Sequence, residues 1–167
     1  MHELSLKSLV GHDLKAALEK AAQYRALNQP DEAESICEDV LAVEPNSQAA
    51  LRILGLAITD GLGQSVEAFD QAIKVFGKLT SDYERVYHQG VAWERLGKAH
   101  LARSEAHGAL TALEHALEHF ERASALAPPG AADAILRWNR CVRLMQSDRA
   151  LQDALDAPLS RQPGLGD

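Results

Sequence analysis

Five of the seven histidines in this 167-residue chain fall between Tyr87 and Phe120, close enough to ask whether they hold a metal. His115 and His119 stand one helical turn apart, the spacing of a two-histidine site. A zinc hydrolase of the HExxH type needs glutamate directly after its first histidine, and this chain has Ala116 there. A di-iron bundle needs glutamate three residues before a histidine. Glu114 and Glu118 are followed at that distance by Leu117 and Glu121. His100 and His107 straddle an expected loop. The plainer reading of the cluster is a polar helix face; a metal-binding helical protein using His115 and His119 is the lesser alternative. No cofactor is expected. Neither GxSxG nor CxxC occurs, and Gly61-Leu62-Gly63 lacks the strand and lysine of a phosphate loop. The sequence points away from catalysis.

Binding chemistry is better represented. Arg137, Arg140 and Arg143 recur every three residues, with Arg149 beyond. In a chain of net charge -7, this stripe is either a dock for an acidic partner segment or a solvated face complementing a neighbouring acidic helix. The same net charge argues against general nucleic-acid binding, which wants a basic surface. Cys37 and Cys141 lie in apolar helical stripes with no cysteine nearby, so reduced core residues are expected. The opening MHELSLKSLVGHD lacks the apolar core of a signal peptide, and no run approaches the ~20 apolar residues of a membrane span. A cytoplasmic protein is expected.

Helices have to position all of these residues. Aromatics make up 5% of the chain while alanine and leucine recur throughout, which suits closely packed helices. Two residue sets share one spacing: Ala33, Cys37, Val40 and Pro45, then Ala116, Phe120, Ala123 and Pro128. Intervals of four, three and five close an apolar helical stripe and then stop the helix. A recurring unit of this kind marks a repeat of helix pairs.

The first helix is expected over 13–28, with Leu14, Ala17, Leu18, Ala21 and Tyr24 buried. Pro30 opens the second behind an acidic first turn, and Ala33, Ile36, Cys37, Val40 and Leu41 form its stripe. Asn46 or Ser47 caps the third, which buries Ala50, Leu51, Leu54, Ala57 and Ile58 and ends at a glycine-rich turn, 60–63. The fourth carries Val66, Phe69, Ala72, Ile73 and Phe76. Ser81 and Glu84 form a capping box for an overlong fifth helix bearing Val86, Tyr87, Gly90, Trp93 and Leu96. A loop is expected over 104–108 and a sixth helix over 109–127. The seventh, 131–146, has Ile135, Trp138, Cys141, Val142 and Met145 on one side. A short helix over 149–156, capped by Ser147, completes the domain, which spans 13–156. A partly ordered segment, 1–12, precedes it and a disordered tail, 157–167, follows.

Helix pairs patterned in this way resemble the tetratricopeptide repeat (TPR) over residues 14–145. Tyr24, Ala33, Val40, Leu41 and Pro45 match the first unit; Leu54-Gly55, Phe69 and Ala72-Ile73 match the second. Gly90, Trp93, Gly97, Ala116, Phe120, Ala123 and Pro128 match the third. The second unit has a shortened turn and no closing proline, and the third carries about a dozen residues beyond the ~34-residue repeat. The resemblance implies an all-α fold of antiparallel helix pairs, stacked as a short right-handed superhelix of about three repeats and a capping helix.

It also implies a concave side lined by the first helix of each pair. The residues placed there are Arg25 in the first unit, Arg52, Leu56 and Thr59 in the second, and Tyr87, Val91, Glu94 and Arg95 in the third. Arg52 and Arg95 would pair with a carboxylate, and Tyr87 would offer a flat apolar surface. Alternatively, the arginines are solvated or paired within the domain. The clamp of chaperone-binding members is not expected, because Leu18, Ala22, Ile53, Glu84 and His88 stand where its polar groups belong. The expected function is an adaptor or scaffold holding a peptide or helix of a partner protein in the groove, with Arg137 and Arg140 as further contacts. Its rival is a self-associating structural module joined through exposed apolar residues of the terminal helices.

Overall fold

The computed structural model describes residues 4–63 and 67–157. After a 3-10 turn at Gly11–Asp13, eight α-helices follow among these residues. They are α1 (Leu14–Ala26), α2 (Pro30–Val43), α3 (Gln48–Asp60), α4 (Glu67–Gly77), α5 (Asp82–Ala102), α6 (Ala106–Leu126), α7 (Asp133–Ser147) and α8 (Arg149–Asp156). Each helix packs on its neighbour in the chain, while α1 also meets α3, and α3 meets α5. Antiparallel pairs stacked in order produce that pattern, and the fold is an all-α helical repeat.

The recurring residue sets hold the pairs together. Ala33, Cys37 and Val40 on α2, and Ala116, Phe120 and Ala123 on α6, are all fully buried. Both helices end two residues before their proline. Small residues on the partner helices receive them. Ala21, Gly55 and Gly90 recur at intervals of about 35 residues, the length of one helix pair, and all three are buried. A Cβ on Gly55 would sit 2.2 Å from the Phe76 ring, and one on Gly90 would sit 2.8 Å from Phe120. Paired helices approach closely because nothing projects at these points. In the second pair Ala72, Phe76 and Leu79 repeat the spacing and are buried, with Phe69 in the same core cluster and Ile73 packed against it. The turn between α3 and α4, expected to be shortened, runs through residues 64–66, which lie outside the described residues.

The α1–α2 and α5–α6 connections are one device used twice. Asn28 (φ 59°) and Ser104 (φ 60°) adopt the left-handed conformation. The next N–H, from Gln29 or Glu105, donates to the carbonyl of Tyr24 or His100, each at 2.9 Å. This is the Schellman closure of a helix end, where glycine is the usual residue. The loop expected over 104–108 therefore shrinks to 103–105, and α6 begins at Ala106 and runs through Gly108. The third pair is long for the same reason. Its helices have 21 residues each, against 13 and 14 in the first pair. The extra residues extend both helices.

Caps account for the remaining starts. Ser47 Oγ accepts the N–H of Ala50, and Ser81 Oγ accepts that of Glu84. The Glu84 carboxylate turns to Arg52. Asp148 caps α8 by accepting from Leu151; Ser147, expected in that role, is the last residue of α7. Ile135 is 54% exposed, so it leaves the expected α7 stripe, while Ala134 and Cys141 are buried. Val66, residues 1–3 of the N-terminal segment and the tail from 158 lie outside the described residues.

Candidate partner-binding cleft

Helices α1, α3, α5 and α7 present polar side chains to one another, and most are tied together. Asp60, the last residue of α3, takes Arg25 from α1 and Arg95 from α5. Arg95 also donates to Thr59 Oγ1 at 2.6 Å and to the Leu56 carbonyl at 3.1 Å. Arg25 Nε lies 2.7 Å from Asp60 Oδ2 without aiming its N–H at an acceptor, while Nη2 donates to Oδ1 at 3.3 Å. Burial pulls Arg95 below its ordinary range, against the opposing pull of Asp60. It remains a cation, because arginine starts so far above neutrality.

Beside Arg95, Glu94 is fully buried. Its Oε1 accepts from Lys98 Nζ at 2.5 Å, and its Oε2 from Arg137 Nη1 on α7 at 3.0 Å. A buried carboxylate is tolerable here because each oxygen faces a cation. Burial disfavours the Arg137 charge, but Glu94 and the Tyr87 hydroxyl outweigh it and raise the guanidinium above its ordinary range. Arg52 pairs with Glu84 between α3 and α5. His88 Nδ1 donates to the Glu84 carbonyl at 2.7 Å, and burial lowers the ring below its ordinary value.

Two cavities open along this network. One, of about 440 Å³, is bounded by Asp60, Leu62, Arg95, Lys98 and Arg137. The other, of about 360 Å³, lies between α5 and α7 and is lined by Tyr87, Glu94, Lys98, Asp133, Leu136, Arg137 and Arg140. Lys98 and Arg137 line both, so the two form one cleft. Each has the volume of a ligand site.

Of the expected contact residues, Tyr87, Arg95, Arg137 and Arg140 line this cleft. Thr59 and Glu94 also border it, but Thr59 is 2% exposed and Glu94 is enclosed by its two cations. Val91 is the clear correction: it is fully buried in a core cluster with Leu113 and Phe120 of α6 and cannot meet a partner. Leu56 packs against the core. Arg25 and Arg52 lie outside both cavities on Asp60 and Glu84. Pairing within the domain therefore describes Arg25, Arg52 and Arg95. Sequence reasoning missed Lys98 and Leu136. Lys98 could have been found, since it stands four residues after Glu94 on the same helix face. Leu136, 63% exposed, lay off the expected stripe.

His115 and His119 make contacts within the fold. His119 Nδ1 donates to the His115 carbonyl at 2.8 Å, and the His115 ring packs 4.5 Å from that of Trp93. Among the described residues, no three His, Cys, Asp or Glu side chains converge to hold a metal ion. Cys37 and Cys141 are free and buried in separate clusters, and burial pushes both thiols up to about 12. No described helix is long and apolar enough to cross a membrane.

Compared with protein-family models and with curated proteins, the sequence has no match. Fold and cleft together define a class, a stack of helix pairs with a charged cleft across its odd-numbered helices.

Proposed function

We propose that the chain is an adaptor of the tetratricopeptide type, holding a peptide or helix of a partner protein in the cleft between α3, α5 and α7. The balance of charge in that cleft carries the reading. Arg95, Lys98, Arg137 and Arg140 line it against Asp60, Glu94 and Asp133, so cations outnumber carboxylates by one. In a chain of net charge -7, such a local excess favours a ligand of opposite sign. The cleft wall is already held by ion pairs, which lowers the ordering cost of binding. Binding in the cytoplasm, rather than catalysis, is the role assigned; two reduced, buried thiols accord with that compartment.

Affinity capture from native lysate tests this, comparing wild type with Arg140→Glu. Arg140 is exposed and has no ion pair among the described residues, so the variant should fold. A protein retained by wild type and lost from the variant supports the adaptor. Equal retention would move the partner to another surface and overturn the cleft reading. Changing Arg52 or Arg95 would be less informative, because each holds the fold together.

A second reading, self-association, has its own observation. Ile135 lines a cavity of about 200 Å³ with Phe120 and Trp138, and Leu126 is 48% exposed at the end of α6. Light scattering across a concentration range decides it. A monomer at every concentration removes this alternative.

A further inference from the structure

Within the adaptor reading, on which this rests, we infer that the partner segment pairs an acidic side chain with an apolar neighbour. The carboxylate seats among Lys98, Arg137 and Arg140, and the apolar side chain lies between Tyr87 and Leu136.

The cations around the second cavity are unequally satisfied. Glu94 has two oxygens and gives one each to Lys98 and Arg137. The Lys98 side chain is 41% exposed and that of Arg137 is 33% exposed, so both retain open donors. Arg140 lines the same cavity and has no carboxylate partner among the described residues. Asp133 also borders the cavity, at the first turn of α7. Against Glu94 and Asp133, the three cations Lys98, Arg137 and Arg140 leave an excess of one. A single added carboxylate would balance it. Arginine and lysine donors facing one space are suited to that group.

The apolar half of the inference comes from Leu136. It is 63% exposed, yet it lines, with Tyr87, the wall of a charged cavity. An aliphatic or aromatic side chain placed there would cover Leu136 and leave the carboxylate on the cations. A polyanion such as nucleic acid fits less well. Asp60, Glu94 and Asp133 interrupt the basic surface, and the chain as a whole is acidic. A short segment meets the local field within a screening length of about 8–10 Å. This site also differs from a clamp on first helices, because it needs α7.

Fluorescence anisotropy with labelled synthetic peptides provides the test. The probe contains Glu-Leu-Glu in a Gly-Ser frame, with Gln-Leu-Gln and Lys-Leu-Lys versions beside it. The Glu peptide should bind at least about tenfold tighter than the Gln peptide, and more weakly as salt rises. Arg140→Gln and Leu136→Ser, both at exposed side chains, should each weaken it severalfold with unchanged circular dichroism. If the Gln or Lys peptide binds as well as the Glu peptide, the charge assignment falls while the cleft stands. Glu-peptide binding unaffected by either substitution would put the site elsewhere. Displacement of the peptide by oligo-dT with higher affinity would replace this inference with a nucleic-acid site. Failure of all three peptides overturns it, and lysate capture by wild type against Arg140→Glu then shows separately whether the adaptor reading survives.

Discussion

Arg25 of α1 and Arg95 of α5 converge on one carboxylate, that of Asp60 at the end of α3. The first helices of three successive pairs are thereby tied at a single point. The Asp60 side chain is 20% exposed, so its removal leaves two guanidinium groups partly out of water without their anion. Asp60→Asn should cost about 1–3 kcal/mol, the range for a lost charge-assisted hydrogen bond. Urea unfolding measures it. An unmoved midpoint would mean that the tie adds no net stability.

Close approach between helices predicts opposite outcomes for two glycines. Gly55→Ala places a methyl group 2.2 Å from the fully buried Phe76 ring, which has no room to retreat. Strain should exceed the gain in helix propensity, and stability should fall by about 1–3 kcal/mol. Gly77 ends α4 with nothing within 4 Å of an added Cβ. There Gly77→Ala should be neutral or raise stability by up to about 1 kcal/mol. Thermal melts of the two variants compare them directly.

Acidity should loosen the fold through His88. Burial lowers the ring below 6.5, despite the raising effects of the Glu84 carbonyl and carboxylate; Arg52 and Arg137 lower it further. Below about pH 6.5 the unfolded chain takes up a proton that the folded chain refuses. Stability is therefore highest above that value, falls as pH drops through the interval, and levels off once the folded ring protonates. His88→Gln should flatten this segment of a plot of unfolding midpoint against pH. A slope identical to wild type would assign the effect to other groups.

Cys37 and Cys141 should be inert in the folded protein. Both are buried and both thiols are pushed up to about 12, so almost no thiolate exists near neutrality. Ellman's reagent should leave both unmodified in native buffer and titrate both in guanidinium. Fast labelling before unfolding would show that a core cluster opens locally.

Much of the fold was legible in the sequence, because small and bulky residues at helical spacing report directly on close contact. Ala33, Cys37 and Val40 could be assigned to the core from spacing alone, as could Ala116, Phe120 and Ala123. The α5–α6 turn was obscured because Ser104 adopts a conformation usually given to glycine, while Gly108 sits inside a helix. The cleft was legible in part. Arg137, Arg140 and Tyr87 could be placed by periodicity, since a side chain's face follows from its position on a helix. What each arginine touches could not, because Asp60 and Glu84 are brought to Arg25, Arg95 and Arg52 by packing between helices far apart in the chain. Val91 failed for a related reason. Its core cluster draws on α6, α7 and α8 together, contacts that periodicity along α5 alone does not report.

The two 21-residue helices have a mechanical consequence. A stack in which helices meet mainly their chain neighbours divides a pulling force unevenly, since each pair resists in proportion to what it buries. Here α7 and α8 also lean on α6, and the short 103–105 turn leaves little slack within the hairpin. Stretched from its ends in an optical trap, the chain would pay out α1 to α4 at low tension and then halt. The α5–α6 hairpin is the knot in this rope, and the cleft lies against it.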